Sequence, residues 1–522
     1  MSELTRRDVV RHAAVGSAAL AIGGAVPGWA RLRPPLLAEG RFETGVLAGF
    51  PGQRSAILMS RLARVEQNGR VRFEVAADPG FGKIVKAGET RIRPNSDFTA
   101  RKTIRGLEPG ERYWYRFETK RRSSPVGSFR TRRPPDSAEP VRIGFFSCQG
   151  WQPGYYTAHA GLAEEDLDLV VSLGDYIYEL TDDDGPREDT IGPAGDGEAQ
   201  TLAEYREKYH LYQSDPDLQA THAAHGFACV WDDHELESGW QGPHEGETQG
   251  RERRVPYEKR VRNGRRAFFE HLPVPRIAGN SARIYRSIPL GRSAELFMLD
   301  LHSYASNYVC GFAIPPKPCP QASDPALTML GGTQKEWLKG GLERSGARWK
   351  VLGNSLMMMS LDLYPGQSFN YSQWDGYEVE RRELMQFLLD RQIDGVTVVS
   401  GDIHTFFAGS VTTTGRSNGT AAATEFVGGS ISSEGIAQGV SEALGVPEDS
   451  SSTEFVTQRL REVNPHFAHV DTVNRGYAVL EATTEELRVD FRGPVSVLEP
   501  KSEIRTWASF RVDPERPVVE WV

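Results

Sequence analysis

Four separate apolar runs in this chain each break off into a cluster of polar side chains, and that arrangement limits the fold more than any other feature. Ile143-Gly144-Phe145-Phe146-Ser147 ends in the thiol of Cys148, and Val170-Val171-Ser172-Leu173 ends in Gly174-Asp175, with the phenol of Tyr178 three positions on. Ala228-Cys229-Val230 runs into Trp231-Asp232-Asp233-His234-Glu235, and Val398-Val399-Ser400 runs into Gly401-Asp402-Ile403-His404. Short, continuous apolar runs of this kind read as strands buried on both faces. An open α/β sheet binds its ligands just outside the carboxyl ends of such strands. Four polar ends in one chain therefore predict one site assembled from four distant segments.

The site so predicted offers a thiol, a phenol, several carboxylates and two imidazoles. That mix has too much hard oxygen for a structural zinc site and too many soft or redox-active donors for calcium alone. Phenolate and thiolate suit ferric iron, and the surplus carboxylates suit a further divalent ion. Each residue has a plainer reading on its own: a lone Cys148 is a small buried hydrophobe, and a lone Tyr178 is a packed aromatic. Their company is what favours ligation. Asp232 reads as a turn or supporting residue rather than a ligand, Cys229 as core, and the His222/His225 pair as surface histidines.

The strand periodicity predicts an all-β segment over residues 40–133, with strands at Ser55–Leu62, Val71–Ala76, Phe98–Ile104 and Tyr113–Glu118. Leu107-Glu108-Pro109-Gly110-Glu111-Arg112-Tyr113 resembles the tyrosine corner of fibronectin III-like β-sandwiches. Arg132-Arg133-Pro134-Pro135 then reads as a linker. From 136 to 522 short apolar strands alternate with amphipathic helices, for which Gln334–Ser345 and Tyr377–Gln392 are the clearest candidates. The expected fold is thus α/β, with a sandwich followed by a catalytic domain.

Composition and the N-terminus bound the setting. A net charge of −9 and no long Lys/Arg run argue against a nucleic-acid-binding surface. Thr5-Arg6-Arg7-Asp8, an Ala/Gly-rich stretch from Ala13 to Val26, and Gly28-Trp29-Ala30 read as a twin-arginine signal peptide over residues 1–30. The expected location is secreted, periplasmic or cell-wall associated, with the twin-arginine translocation machinery as a partner. No run of about 18 apolar residues predicts a transmembrane span. Four cysteines are too few for a disulfide scaffold, and export leaves a bridge between Cys310 and Cys319 an even choice.

The motifs quoted above resemble the PhoD-like alkaline phosphatase and phosphodiesterase family, which includes iron-dependent phospholipase D-type members and is related to the metallophosphoesterases. Ser147-Cys148-Gln149, Gly174 through Glu179, Trp231 through Glu235, Leu299-Asp300, Trp374-Asp375-Gly376-Tyr377, Gly401 through His404 and Arg475-Gly476-Tyr477 carry the resemblance. It implies a metallophosphoesterase-like αββα catalytic domain. It also implies Fe3+ held by Cys148, Asp175, Tyr178 and His404, and a second cation, Ca2+ or another divalent ion, on Asp175, Asp233 and Asp402. By the same resemblance His234 is the catalytic acid that protonates the leaving oxygen.

Two departures stand out. Glu237-Ser238-Gly239 lacks an amide ligand expected after the Asp-His-Glu run, and His302 stands two positions after Asp300 where the family often has Arg. Asn354, at the end of its strand, is a candidate compensating metal ligand, although capping a turn suits an Asn equally. The expected activity is hydrolysis of phosphate esters, including phospholipid. The departures tip the reading slightly toward phosphodiesterase or phospholipase D-type chemistry over alkaline phosphomonoesterase, because a weaker grip on a dianion hurts monoesters more. A catalytically inactive protein binding through its β-sandwich is the remote alternative.

Overall fold

The computed structural model describes residues 34–180, 185–246, 251–307, 309–445 and 450–522. The signal peptide expected at 1–30 lies outside the described residues. Among those residues no helix is long and apolar enough to cross a membrane.

Two mixed sheets form the catalytic layers. In the first, strands Val141–Phe146, Leu169–Ser172, Gly226–Cys229 and Val46–Gly49 run parallel side by side. Antiparallel strands extend it on both sides, with Tyr477–Ala482 pairing against Val141–Phe146. In the second, Ala294–Met298, Trp349–Gly353, Val396–Ser400 and Ala421–Gly428 run parallel in that order. The strands Leu169–Ser172, Gly226–Cys229 and Val396–Ser400 are buried at every residue. That is why their sequences are continuous apolar runs without alternation. One core joins the sheets, packing Phe145, Phe491 and Phe510 of the first against Val399, Phe406 and Phe426 of the second.

Helices cover the outer faces, giving the αββα order. Gly331–Arg344 and Glu378–Asp390 bury Leu338, Leu342, Leu384, Met385 and Leu388 against the second sheet. Over the first sheet lie Leu202–Tyr212, which opens with a Thr201/Glu204 capping box, and Pro216–Ala224, capped by Asp215. Such caps satisfy the orphan amides of a first helical turn.

The N-terminal segment contains the expected strands and packs them in two layers around Leu58, Val71, Val75, Tyr115 and Phe129. Strand Arg112–Glu118 alternates buried and half-buried residues along its length, as one covered face demands. The Tyr113 hydroxyl accepts the Glu108 amide at 3.0 Å, so the tyrosine corner is present. One layer is continuous with the catalytic sheet. Val46–Gly49 pairs in parallel with the strand Gly226–Cys229 through Ala48↔Gly226 and Gly49↔Phe227, and Ser55–Arg61 and Thr99–Arg105 continue the same sheet outward. Periodicity predicts strands but not partners, and this parallel pairing has no local signal.

The histidine pair 222/225 is a correction. Both are buried, with relative exposures of 1% and 3%. His222 stacks on Tyr176, and His225 Nε2 lies 3.0 Å from the Leu162 carbonyl. His222 lies on the inner side of helix Pro216–Ala224 against Tyr176 and Phe227, and His225 ends that helix against helix Thr157–Glu164, so packing buries both. Burial pushes His222 down to about 3, and burial likewise pushes His225 and His466 down to about 4. In the unfolded chain histidines titrate near 6.5, so below that pH the unfolded state binds more protons than the folded one. Their contribution is whole above pH ~6.5 and is lost as pH falls toward ~4, by up to about 1.4 kcal/mol per pH unit per residue. On going from pH 7 to pH 4.5 the urea unfolding midpoint of the parent should therefore fall relative to that of His222→Gln, and an unchanged difference between the two would contradict the assignment.

Candidate metal centre

Three of the four motifs leave their strands by a tight backbone reversal. Cys148, Asp175, Asp402 and His404 all adopt left-handed backbone conformations, with φ of 55°, 51°, 63° and 54°. Such a conformation costs a non-glycine residue on the order of 1–3 kcal/mol and persists only where the surroundings impose it. Four such residues among the predicted ligands put this strain where side chains must be aimed inward. The glycines before two of them are a steric requirement as well. A Cβ on Gly174 would lie 2.5 Å from the Asp232 Cβ, and one on Gly401 would lie 2.5 Å from the Ser147 Cβ. Glu235 ties two of the loops together, its carboxylate accepting the amides of Asp175 at 3.1 Å, Tyr176 at 2.5 Å and Asp232 at 2.6 Å.

The result is two adjoining donor clusters that share one carboxylate. Cys148 Sγ, an Asp175 oxygen and a His404 nitrogen lie within 4.8 Å of one another, and so do carboxylate oxygens of Asp175, Asp232, Asp233 and Asp402. Tyr178 borders the first: its hydroxyl is 3.2 Å from Asp175 Oδ2, 3.0 Å from His404 Nε2 and 3.0 Å from Ser433 Oγ. His404 Nδ1 lies 2.6 Å from the Glu434 carbonyl. Donation there turns Nε2 toward the cluster as an acceptor, the usual arrangement for a ligating imidazole.

The electrostatics fit missing positive charge. Burial, reinforced by the Asp175 and Asp402 carboxylates, pushes the Cys148 thiol well up. Burial, with Asp175 and Cys148 adding to it, does the same to Tyr178. Burial and neighbouring carboxylates likewise raise Asp175 and Asp402 far above the usual carboxylate range. Asp175 Oδ1 and Asp232 Oδ2 are buried without a hydrogen-bond partner. Orphaned buried oxygens in a mutually repelling acid cluster are what cation coordination resolves. Burial holds His404 down near 4, hence neutral and able to ligate. The donors present thus fit a thiolate- and phenolate-bearing cation site beside an all-carboxylate one.

His234 stands at the edge of the second cluster, its ring 4.3 Å from that of Tyr178. Nδ1 lies 2.8 Å from Glu179 Oε2. Burial alone would lower this imidazole, but Asp233, Glu179 and Asp175 outweigh it and hold it protonated well above its ordinary range.

Three further placements refine the sequence reading. Asp232 joins the carboxylate cluster itself, with His302 Nε2 in contact with its Oδ1. Asn354 is buried at the end of its strand, where its Nδ2 donates to the Leu356 carbonyl and its Oδ1 accepts from Trp374 Nε1 at 3.4 Å. The bond from its Nδ2 orients the side chain, and Oδ1, the atom that would ligate, keeps a lone pair beyond the long Trp374 contact. Gln373 donates from its amide nitrogen to Asp402 Oδ2. It precedes the motif Trp374-Asp375-Gly376-Tyr377, but it follows no apolar strand, so no local pattern marks it.

The family model described as PhoD-like phosphatase matches residues 143–491, and that of the PhoD-like phosphatase N-terminal domain matches residues 29–133. The chain belongs to the PhoD-like phosphatase family. Alkaline phosphatase D of Bacillus subtilis (strain 168) is 32% identical over 492 residues, spanning 90% of this chain and 80% of that protein. A solved structure of PhoD superposes with a TM-score of 0.79 at 28% identity, over 93% of this chain and 92% of that one. A purple acid phosphatase from yellow lupin (Lupinus luteus) seeds shares the fold, with a TM-score of 0.55 at 13% identity over 90% of this chain and 73% of that one. The chain is accordingly a phosphoesterase, and the strand-end motifs meet in donor clusters that could hold cations.

Proposed function

We propose that this phosphoesterase holds Fe3+ on Cys148, Asp175, Tyr178 and His404, and Ca2+ on Asp175, Asp233 and Asp402 with Asp232 beside them. The observation that carries this reading is the position of Asp175, whose carboxylate belongs to both donor clusters. When bound, the two cations supply Lewis acidity, neutralising phosphate charge and acidifying the attacking water. The chain's own residues do the rest. Glu179 fixes His234, and the protonated imidazole donates to the leaving oxygen as the ester bond breaks. Tyr178 lies against that ring, tilted by 31° with the ring centres 4.3 Å apart.

His302 favours diesters. It is 3% exposed, with Nδ1 2.8 Å from the Trp240 carbonyl and Nε2 on Asp232. A group so engaged is no substitute for an Arg reaching a phosphate dianion, and losing such a contact weakens monoester binding most. We therefore place phosphodiesters, phospholipid among them, slightly ahead of monoesters. An alkaline phosphomonoesterase is the second reading, in keeping with the name of the Bacillus relative. The remote alternative, a binding protein working through its β-sandwich, is disfavoured by a buried donor set suited to cations. Rates on an aryl phosphate, a bis-aryl phosphate and phosphatidylcholine, measured with added iron and calcium, decide among them. The bis-aryl ester should turn over faster than the monoester, and a strong monoester preference would remove the diester assignment.

Export through the twin-arginine pathway to the cell exterior, periplasm or cell wall is part of the same proposal. Cys310 and Cys319 form a disulfide, a bond that persists in oxidising compartments and is rare in a reducing cytosol.

A further inference from the structure

Behind His234, on the side away from the carboxylate cluster, lies a buried ionic assembly that coordination chemistry does not require. Arg260, on helix Tyr257–His271, is fully buried at its centre. Its Nη1 lies 3.0 Å from Glu237 Oε1 and 3.4 Å from Glu198 Oε1, and its Nε lies 3.3 Å from the Tyr205 hydroxyl. Nη2 faces Glu179 Oε1 at 3.8 Å, too far for a hydrogen bond, and has no other partner. Glu179 in turn contacts His234 Nδ1 at 2.8 Å through its other oxygen, while Oε1 accepts the Ser238 amide at 2.6 Å.

We infer that Arg260 is a positioning residue for His234, acting through Glu179; this rests on the leaving-oxygen role of His234 proposed above. Three carboxylates, Glu179, Glu198 and Glu237, converge on one guanidinium with at most 3% exposure each. Removing the central cation leaves like charges unscreened in a dry interior, where their repulsion is strong. Among the described residues, Glu179 is the one of the three with no second guanidinium to answer its charge. It is held to Arg260 by charge at 3.8 Å without a hydrogen bond, whereas Glu237 is also gripped by Arg253 at 2.8 Å and Glu198 lies near Arg254 at 3.8 Å. A displaced Glu179 turns the imidazole it fixes, and proton donation tolerates little misplacement. A planar fork reaching several carboxylates is a task for Arg rather than Lys.

The test uses the full-length, metal-loaded enzyme and two esters with the same phosphoryl group, one with a nitrophenyl and one with an alkyl leaving group. The alkoxide needs a proton and the nitrophenolate does not, so misplacing the acid penalises one substrate. Arg260→Gln should lower kcat on the alkyl ester on the order of 30-fold and on the nitrophenyl ester less than about 3-fold, with KM and bound metal unchanged. Arg260→Lys, keeping the charge without the fork, should show the same selectivity at roughly 5-fold. His234→Asn should show it most strongly, and the double variant His234→Asn/Arg260→Gln should be no slower than His234→Asn alone. If His234→Asn is leaving-group selective while the Arg260 variants lose equally on both esters, Arg260 is only structural and the inference fails. If His234→Asn itself is unselective, the acid role of His234 fails with it. Should Arg260→Gln not fold, Arg260→Lys decides by the same criterion.

Discussion

Asp175→Asn should strip the enzyme of both cations and lower kcat/KM on the order of 10³-fold or more, about 4 kcal/mol of transition-state stabilisation. The size of the effect follows from position. Asp175 contributes an oxygen to the cluster with Cys148 and His404, to the one with Asp232, Asp233 and Asp402, and to that with Asp233 and His234. Substitution of any other donor leaves one cluster intact, whereas this one removes the shared charge. Asn is nearly isosteric, and Asp175 Oδ1 has no hydrogen-bond partner to lose. The metal-free variant should therefore be at least as stable to heat as the metal-free parent, since the substitution relieves repulsion among buried acids. Metal content, rate and thermal midpoint read together separate this outcome from misfolding. A variant that retains two bound metals at near-parental activity would show that Asp175 does not bridge.

Much of this was legible in the sequence because the information is local. A strand buried on both faces must be continuously apolar, and Leu169–Ser172 and Val396–Ser400 are. A ligand beyond its end must follow at once, as Asp175 and Asp402 do. The Gly-Asp pairs are local too, since a side chain at Gly174 or Gly401 would strike Asp232 or Ser147. What escaped depends on contacts between distant segments. The pairing of Val46–Gly49 with Gly226–Cys229, which merges a layer of the N-terminal segment into the catalytic sheet, leaves no trace in either strand. Asp232 and Asp233 are adjacent in sequence, and only the folded loop shows that both carboxylates enter the cluster, with Asp232 answered by His302 from another strand end. Asn354 satisfies the local rule of a polar residue after an apolar strand, but the contacts that fix its amide, to the Leu356 carbonyl and Trp374, appear only in the folded chain.

Cys148→Ala and Tyr178→Phe should each bleach the visible colour of the iron-loaded enzyme and reduce its rate by about two orders of magnitude or more. Thiolate and phenolate bound to ferric iron both give charge-transfer colour, and both groups belong to the proposed iron cluster. Neither side chain ionises there unaided, because burial and the carboxylates beside them push both groups well up. Colour therefore reports cation binding at these residues and not a free anion. The two variants should differ in stability. Tyr178 is only half-buried, and its hydroxyl contacts Asp175, His404 and Ser433, so Phe removes contacts without leaving a cavity. Cys148 is fully buried at a left-handed position, where Ala keeps the backbone strain but vacates the space of the sulfur. A small cavity of this kind costs on the order of 1 kcal/mol. Calcium binding should survive both substitutions, since Asp175, Asp232, Asp233 and Asp402 remain. A Cys148→Ala enzyme that kept its colour and rate would overturn the assignment of iron to this cluster and leave Cys148 as a packed thiol at a strand end.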